Sequence, residues 1–92
     1  MEKLEICNMM SLSTGHLTVA TRDLLDMDAV GVVVHAKADG VGWFVLVCDW
    51  KEYADAVPDD LRDCLKLAEK HNCDWLNFDR DAGIVLSLKA YD

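Results

Sequence analysis

Apolar residues recur with a period of two at Leu4, Ile6 and Met10, which predicts a first strand over residues 3–10. A polar knot follows at Ser13-Thr14-Gly15-His16, and the period then changes. Leu17, Ala20, Leu24 and Met27 stand at helical spacing, with Leu25 widening the stripe. Thr18 is a suitable N-cap, so a helix is expected from there to about Asp28. Residues 30–36 are β-branched and nearly continuous, the pattern of a strand buried on both faces. Asp39-Gly40 signals a tight turn, and residues 43–48 supply the returning strand of a hairpin.

A polar connection carrying Trp50 and Tyr53 leads to Pro58, which suits the first position of a second helix. Asp59 and Asp60 fall in its first turn and Lys66, Lys70 and His71 in its last, matching the helix dipole. Leu61, Cys64, Leu65 and Ala68 form its apolar stripe, and Asn72 can end it in a left-handed conformation. Trp75, Leu76 and Phe78 mark another strand, residues 80–83 a turn, and residues 84–88 a last strand. The expected class is α+β: one mostly antiparallel sheet with two helices on one face, in the order β-α-β-β-α-β-β.

A chain of 92 residues is one domain, residues 1–92, with little room for a deep cavity beside its core. Hydrophobic residues make up 52% of it, which excludes a disordered acidic tail. Met1-Glu2-Lys3 opens no secretory leader, and no apolar run is long enough to span a membrane. Cys7, Cys48, Cys64 and Cys73 include no C-x-x-C pair, so they read as reduced residues of a cytoplasmic protein and not as a zinc site.

The candidate chemistry is sparse. His16 lies among Ser13, Thr14 and Thr18, but G-x-S-x-G is absent, and a turn or helix cap explains the cluster. His35 sits in an apolar strand and His71 at a helix end. Asp74, Asp79 and Asp81 raise a metal question, yet Asp79-Arg80-Asp81 lacks the remaining ligands of a calcium loop, and turn chemistry accounts for Asp81 and Gly83. Asp39-Gly40-Val41-Gly42 joins two strands and is not a phosphate loop. No catalytic residue, cofactor or metal is assigned, and no enzyme activity is expected.

Charge changes the picture. Seventeen acidic against nine basic residues give a formal net charge of -8, which repels nucleic-acid backbones and attracts basic surfaces. Six acids, Asp49, Glu52, Asp55, Asp59, Asp60 and Asp63, fall within fifteen residues, offset only by Lys51 and Arg62. Asp59 and Asp60 suit a helix start. Asp49, Glu52 and Asp55 have no such role, and their three-residue spacing puts them on one side of any helical turn. Trp50 and Tyr53 interleave with them, so the group as a whole is the expected partner-binding site, an aromatic anchor among carboxylates aimed at arginines. A solvated loop with two aromatics closing the core edge is the plainer reading.

Ser13-Thr14-Gly15-His16-Leu17-Thr18 and Cys73-Asp74-Trp75-Leu76-Asn77-Phe78-Asp79-Arg80-Asp81, with the small size and acidity, resemble small proteins of phages and mobile elements. In this respect the chain resembles the anti-CRISPR proteins directed at type I-F systems. The two stretches cover 15 of 92 positions. The resemblance implies an inhibitor acting in the bacterial cytoplasm. It would bind subunits of a CRISPR-Cas surveillance complex, mimic DNA with its acids and block target DNA binding at a basic channel. It transfers no catalytic or contact residue. An antitoxin-like or regulatory module masking another basic partner is the alternative, and a small hydrolase or metal-dependent enzyme using His16, Asp79 and Asp81 stands third. Neither direct duplex binding nor membrane association is expected.

Overall fold

A computed structural model of the protein describes residues 3–91. Four strands, β1 (Met9–Ser13), β2 (Val34–Ala36), β3 (Gly42–Leu46) and β4 (Trp75–Asp79), form one mixed sheet in the order β1-β4-β3-β2. β2–β3 and β3–β4 are antiparallel and β1–β4 is parallel. Helices α1 (Val19–Asp26) and α2 (Asp59–Lys70) cover one face. The α+β class, the single mostly antiparallel sheet and the two helices on one side are as the sequence predicts.

Strand alternation decides the faces. Leu12, Trp43, Val45, Leu76 and Phe78 point into the core beneath the helices, where Leu25, Leu61, Cys64, Leu65 and Ala68 meet them. Burying each large side chain contributes about 1.5–3 kcal/mol. Met9, Ser11, His35, Phe44, Trp75 and Asn77 share the opposite face by register, and that face lacks a covering layer among the described residues. Gly42 makes the β3–β4 contact possible: at φ 154° any Cβ there would lie 1.7 Å from the Phe78 carbonyl oxygen.

The hairpin of β2 and β3 forms as expected, but residues 30–36 do not make one long buried strand. Gly31, at φ 81°, breaks the run. Val30 and Val32 are buried in a loop, Val33 is exposed, and only Val34–Ala36 pairs, as an edge strand with His35 in the open. β1 also lies further along than expected. Residues 3–8 carry no regular structure, and Leu4 and Ile6 are 70% and 81% exposed. The strand begins at Met9 because that is where β4 offers a partner.

Thr18 caps α1 by accepting from the Thr21 amide. The buried line is Leu17, Thr21 and Leu25, four residues apart, while Ala20 and Met27 face solvent. The polar Thr21 replaces Ala20 in the core because its hydroxyl has a buried acceptor, described below. The Trp43 indole N–H donates to Asp26 Oδ1 at 3.0 Å and ties the end of α1 to β3. In α2 the stripe Leu61, Cys64, Leu65 and Ala68 is buried as predicted, Asn72 is left-handed (φ 58°), and Pro58 sits at the N-cap, one position before the expected place.

The expected fifth strand is not formed. Residues 84–88 turn inward at Val85 and Leu88, three apart, and leave Leu86 fully outside. The segment is held by a side chain in place of a strand ladder: His16, 1% exposed, accepts from the Val85 amide at Nε2 (3.0 Å) and therefore donates from Nδ1 to the Lys89 carbonyl (2.9 Å). The Tyr91 amide adds a bond to the Gly15 carbonyl at 2.8 Å.

Candidate partner-binding surface

The acidic segment between β3 and α2 is helical. Asp49 adopts a left-handed conformation (φ 59°) and starts a 3-10 helix, Trp50–Ala56, kinked at Tyr53. Asp49 precedes this helix and Asp55 follows its kink, so the expected placement of both with Glu52 on one side does not follow from helical spacing alone. All three are exposed. The nearby cations are engaged elsewhere. Lys51 reaches Glu69 at 3.1 Å. Arg62 donates to the carbonyls of Ala54 (2.9 Å) and Val57 (3.4 Å), closing the 3-10 helix, and approaches only Asp59, at 3.6 Å. Asp49, Glu52, Asp55 and Asp63 therefore have no ion-pair partner among the described residues.

The field of these acids shows at two neighbours. The Cys48 thiol is pushed up, chiefly by the charge of Asp49, which also hydrogen-bonds it, with Asp74 and Glu52 adding. Asp74 thus joins the group across the chain, a member that sequence spacing gave no way to find. The Tyr91 hydroxyl is raised by loss of solvent first, and then by Asp60, Asp63 and Asp59 at the start of α2. Two acidic groups result, one around Cys48 and one around Tyr91.

Two of the eight expected contact residues belong to the core. Trp50 is 3% exposed and packs beneath the 3-10 helix, because the turn that sends Asp49 and Glu52 outward sends it inward. Asp60 is 7% exposed. Its Oδ2 accepts from the Thr18 amide (2.8 Å) and its Oδ1 from the Thr21 hydroxyl (2.7 Å), joining the first turns of α1 and α2. Neither is available to a partner. Asp49, Glu52, Tyr53, Asp55, Asp59 and Asp63 are exposed, with Tyr53 anchored by its Cβ against Gly31.

The other candidates have structural duties. His16 holds the chain's last described segment, as above. Asp79 Oδ2 pairs with Lys37 at 3.1 Å and Oδ1 accepts from the Asp81 amide at 2.8 Å, an Asx turn that holds the carboxyl below its ordinary range. His35 stands on the open sheet face with its ring 5.9 Å from that of Trp75, and His71 caps α2. Cys64 is buried, Cys73 half-buried, and Cys7 and Cys48 are exposed, all as free thiols. Among the described residues no three His, Cys, Asp or Glu side chains gather as a metal site requires, and no helix is long and apolar enough to cross a membrane.

Sequence reasoning missed the open sheet face. Met9, His35, Phe44 and Trp75 line a shallow apolar depression of about 290 Å³, with Lys37 Nζ 4.9 Å from the centre of the Phe44 ring. The signal was present in the alternation of Trp75 and Asn77 against Leu76 and Phe78, which reads as two different faces.

These features define a small α+β domain with a helix-backed sheet, one open sheet face and unpaired acids beside the second helix. Residues 9–92 match the C-terminal domain of a family of unknown function, DUF5983, and the chain belongs to that family. No curated protein and no solved structure matches it.

Proposed function

We propose that the domain is a binding module that presents Asp49, Glu52 and Asp55, flanked by Tyr53, Asp59 and Asp63, to a basic surface of a macromolecular partner. One observation carries this: Asp49, Glu52 and Asp55 are exposed without an ion-pair partner among the described residues, while the two cations of their own stretch are used elsewhere, Lys51 on Glu69 and Arg62 on the Ala54 and Val57 carbonyls. Preorganised charges lose little conformational freedom on binding. On the resemblance of the two short stretches to anti-CRISPR proteins, the surface we propose is the cationic channel of a type I-F surveillance complex, where these acids would occupy the place of target phosphates and block DNA binding. A basic toxin or enzyme masked by the same acids is the second reading. The unpaired carboxylates suit it equally.

The test is capture of a purified type I-F complex by the tagged protein at low salt, beside an Asp49→Lys, Glu52→Lys, Asp55→Lys variant. Retention by the parent, loss by the variant and weakening with salt are expected, because exposed charges are screened over about 8–10 Å. Absence of capture at low salt would remove the anti-CRISPR reading. Capture undiminished in the variant would remove the acidic face.

A further inference from the structure

β1 lies at the edge of the sheet, and Met9 and Ser11 are exposed there, although Ser13 at its end is buried. The Asn8 carbonyl accepts from the Asp74 and Trp75 amides, and its own N–H donates to Asp74 Oδ2, so the backbone of Asn8 turns toward β4. Backbone groups alternate in direction along a strand, so those of Met9 and Ser11 turn to the open edge, and those of Cys7 would do so if the strand were extended upstream. They find no partner there among the described residues. Natural edge strands are usually blocked by a charge, a proline or a bulge. β1 reads Met-Met-Ser-Leu-Ser and has no charge or proline. Before it run residues 3–8, with Leu4 and Ile6 exposed and in phase with Met10 and Leu12 on the core face.

We infer that the chain forms a two-fold dimer in which residues 4–12 of two copies pair antiparallel across this edge, centred on Asn8. In that register Leu4 stands opposite Leu12 of the partner subunit and Ile6 opposite Met10 of the partner subunit. Cys7, with outward backbone groups, meets Met9, whose groups are also outward. The pairing is thus self-complementary in hydrogen bonding, as a two-fold interface must be, and its side-chain contact falls on Ile6 against the partly buried Met10, since Leu12 is only 1% exposed. It also suits the charge of the molecule. Glu5 stands opposite Ser11 and Lys3 opposite Ser13, so no carboxylate faces a carboxylate. The two sheets join into one of eight strands. Nine paired residues a side fall short of the roughly 20–30 of a standard interface, so a reversible, transient dimer is expected. This inference does not depend on the acidic face, which lies on other elements.

Sedimentation equilibrium over about 5–500 µM, a range bracketing micromolar dissociation, reads the result directly. A reversible rise from 10.3 kDa to twice that mass is expected. Leu4→Glu with Ile6→Glu should weaken association at least 100-fold while the circular dichroism, and the thermal melt taken at a concentration where the parent is monomeric, stay unchanged, since both side chains are exposed. A parent that remains monomeric throughout, or a dimer that survives the double substitution, overturns the inference. A second variant fixes the register: Ile6→Cys with Met10→Cys in a background that removes the two exposed thiols, Cys7→Ser and Cys48→Ser. Four residues of strand span about 13 Å, too far for a bridge within one chain. Mild oxidation should therefore give a covalent dimer. Failure to cross-link while the parent dimerises overturns this pairing.

Discussion

Replacing Asp60 by alanine tests the claim that this acid is a structural bolt and not a contact for a partner. The substitution strands two donors, the Thr18 amide at 2.8 Å and the Thr21 hydroxyl at 2.7 Å, in a site only 7% exposed. Hydrogen bonds to a charged group contribute about 1.5–3 kcal/mol each, and buried groups left unpaired cost about 1–3 kcal/mol. The two bonds share one carboxylate and are not fully additive, so a loss of about 3–5 kcal/mol is expected. A domain of this size has about 5–14 kcal/mol in total. The change would consume a large part of it. Urea unfolding followed by tryptophan fluorescence reads this as a lower midpoint with an unchanged slope, and with a slope of about 1–3 kcal/mol/M the shift exceeds about 1 M. Asp63→Ala, one turn along and exposed, is the control and should stay within about 0.5 kcal/mol. If Asp60→Ala behaves like Asp63→Ala, the carboxylate is not holding the two helices together.

Three further results are expected. Asp79 is held below the ordinary carboxylate range first by the Asp81 amide and then by Lys37. A depressed folded value means that its contribution is full above the unfolded carboxylate pKa and is lost as pH falls through the folded one, so Lys37→Ala should move its NMR titration upward, and an unchanged midpoint would refute the pairing. Cys64, pushed up to about 12 mainly by burial with Asp60 and Asp63 adding, should resist alkylation until the domain unfolds, whereas Asp49→Asn should quicken modification of Cys48 at mildly alkaline pH; mass spectrometry reads both. His16→Ala removes the acceptor for Val85 and the donor to Lys89, so amide exchange at Val85 and Tyr91 should accelerate with a stability loss of about 2–4 kcal/mol; protection at those amides would show that other contacts suffice.

What the sequence made legible was set by local physics. α2 was readable because its stripe, its acidic first turn and the left-handed Asn72 agree with one another. The hairpin was readable from its turn. The first strand was displaced because Leu4 and Ile6 have the right period but no neighbour, and a strand needs a partner as well as a pattern. The last strand failed for the related reason that one histidine, 69 residues away from Val85, took the amide a ladder would have used. In the acidic group, Asp49, Glu52 and Asp55 are exposed, as expected of acids with no helix-capping role. Spacing did not separate Asp60 from Asp59, since only tertiary contact with Thr21 decides which of two adjacent acids is buried. Trp50 was misplaced because an aromatic beside carboxylates looks the same whether it faces out or in.

The parallel pairing of Met9 with Trp75 also shapes how the chain reaches its fold. The hairpin closes a short loop, whereas β1 waits for a partner 66 residues later, and loop-closure entropy places such contacts late. During synthesis the amino-terminal strand emerges long before the strand that receives it. Through that interval Met10 and Leu12 lack their cover.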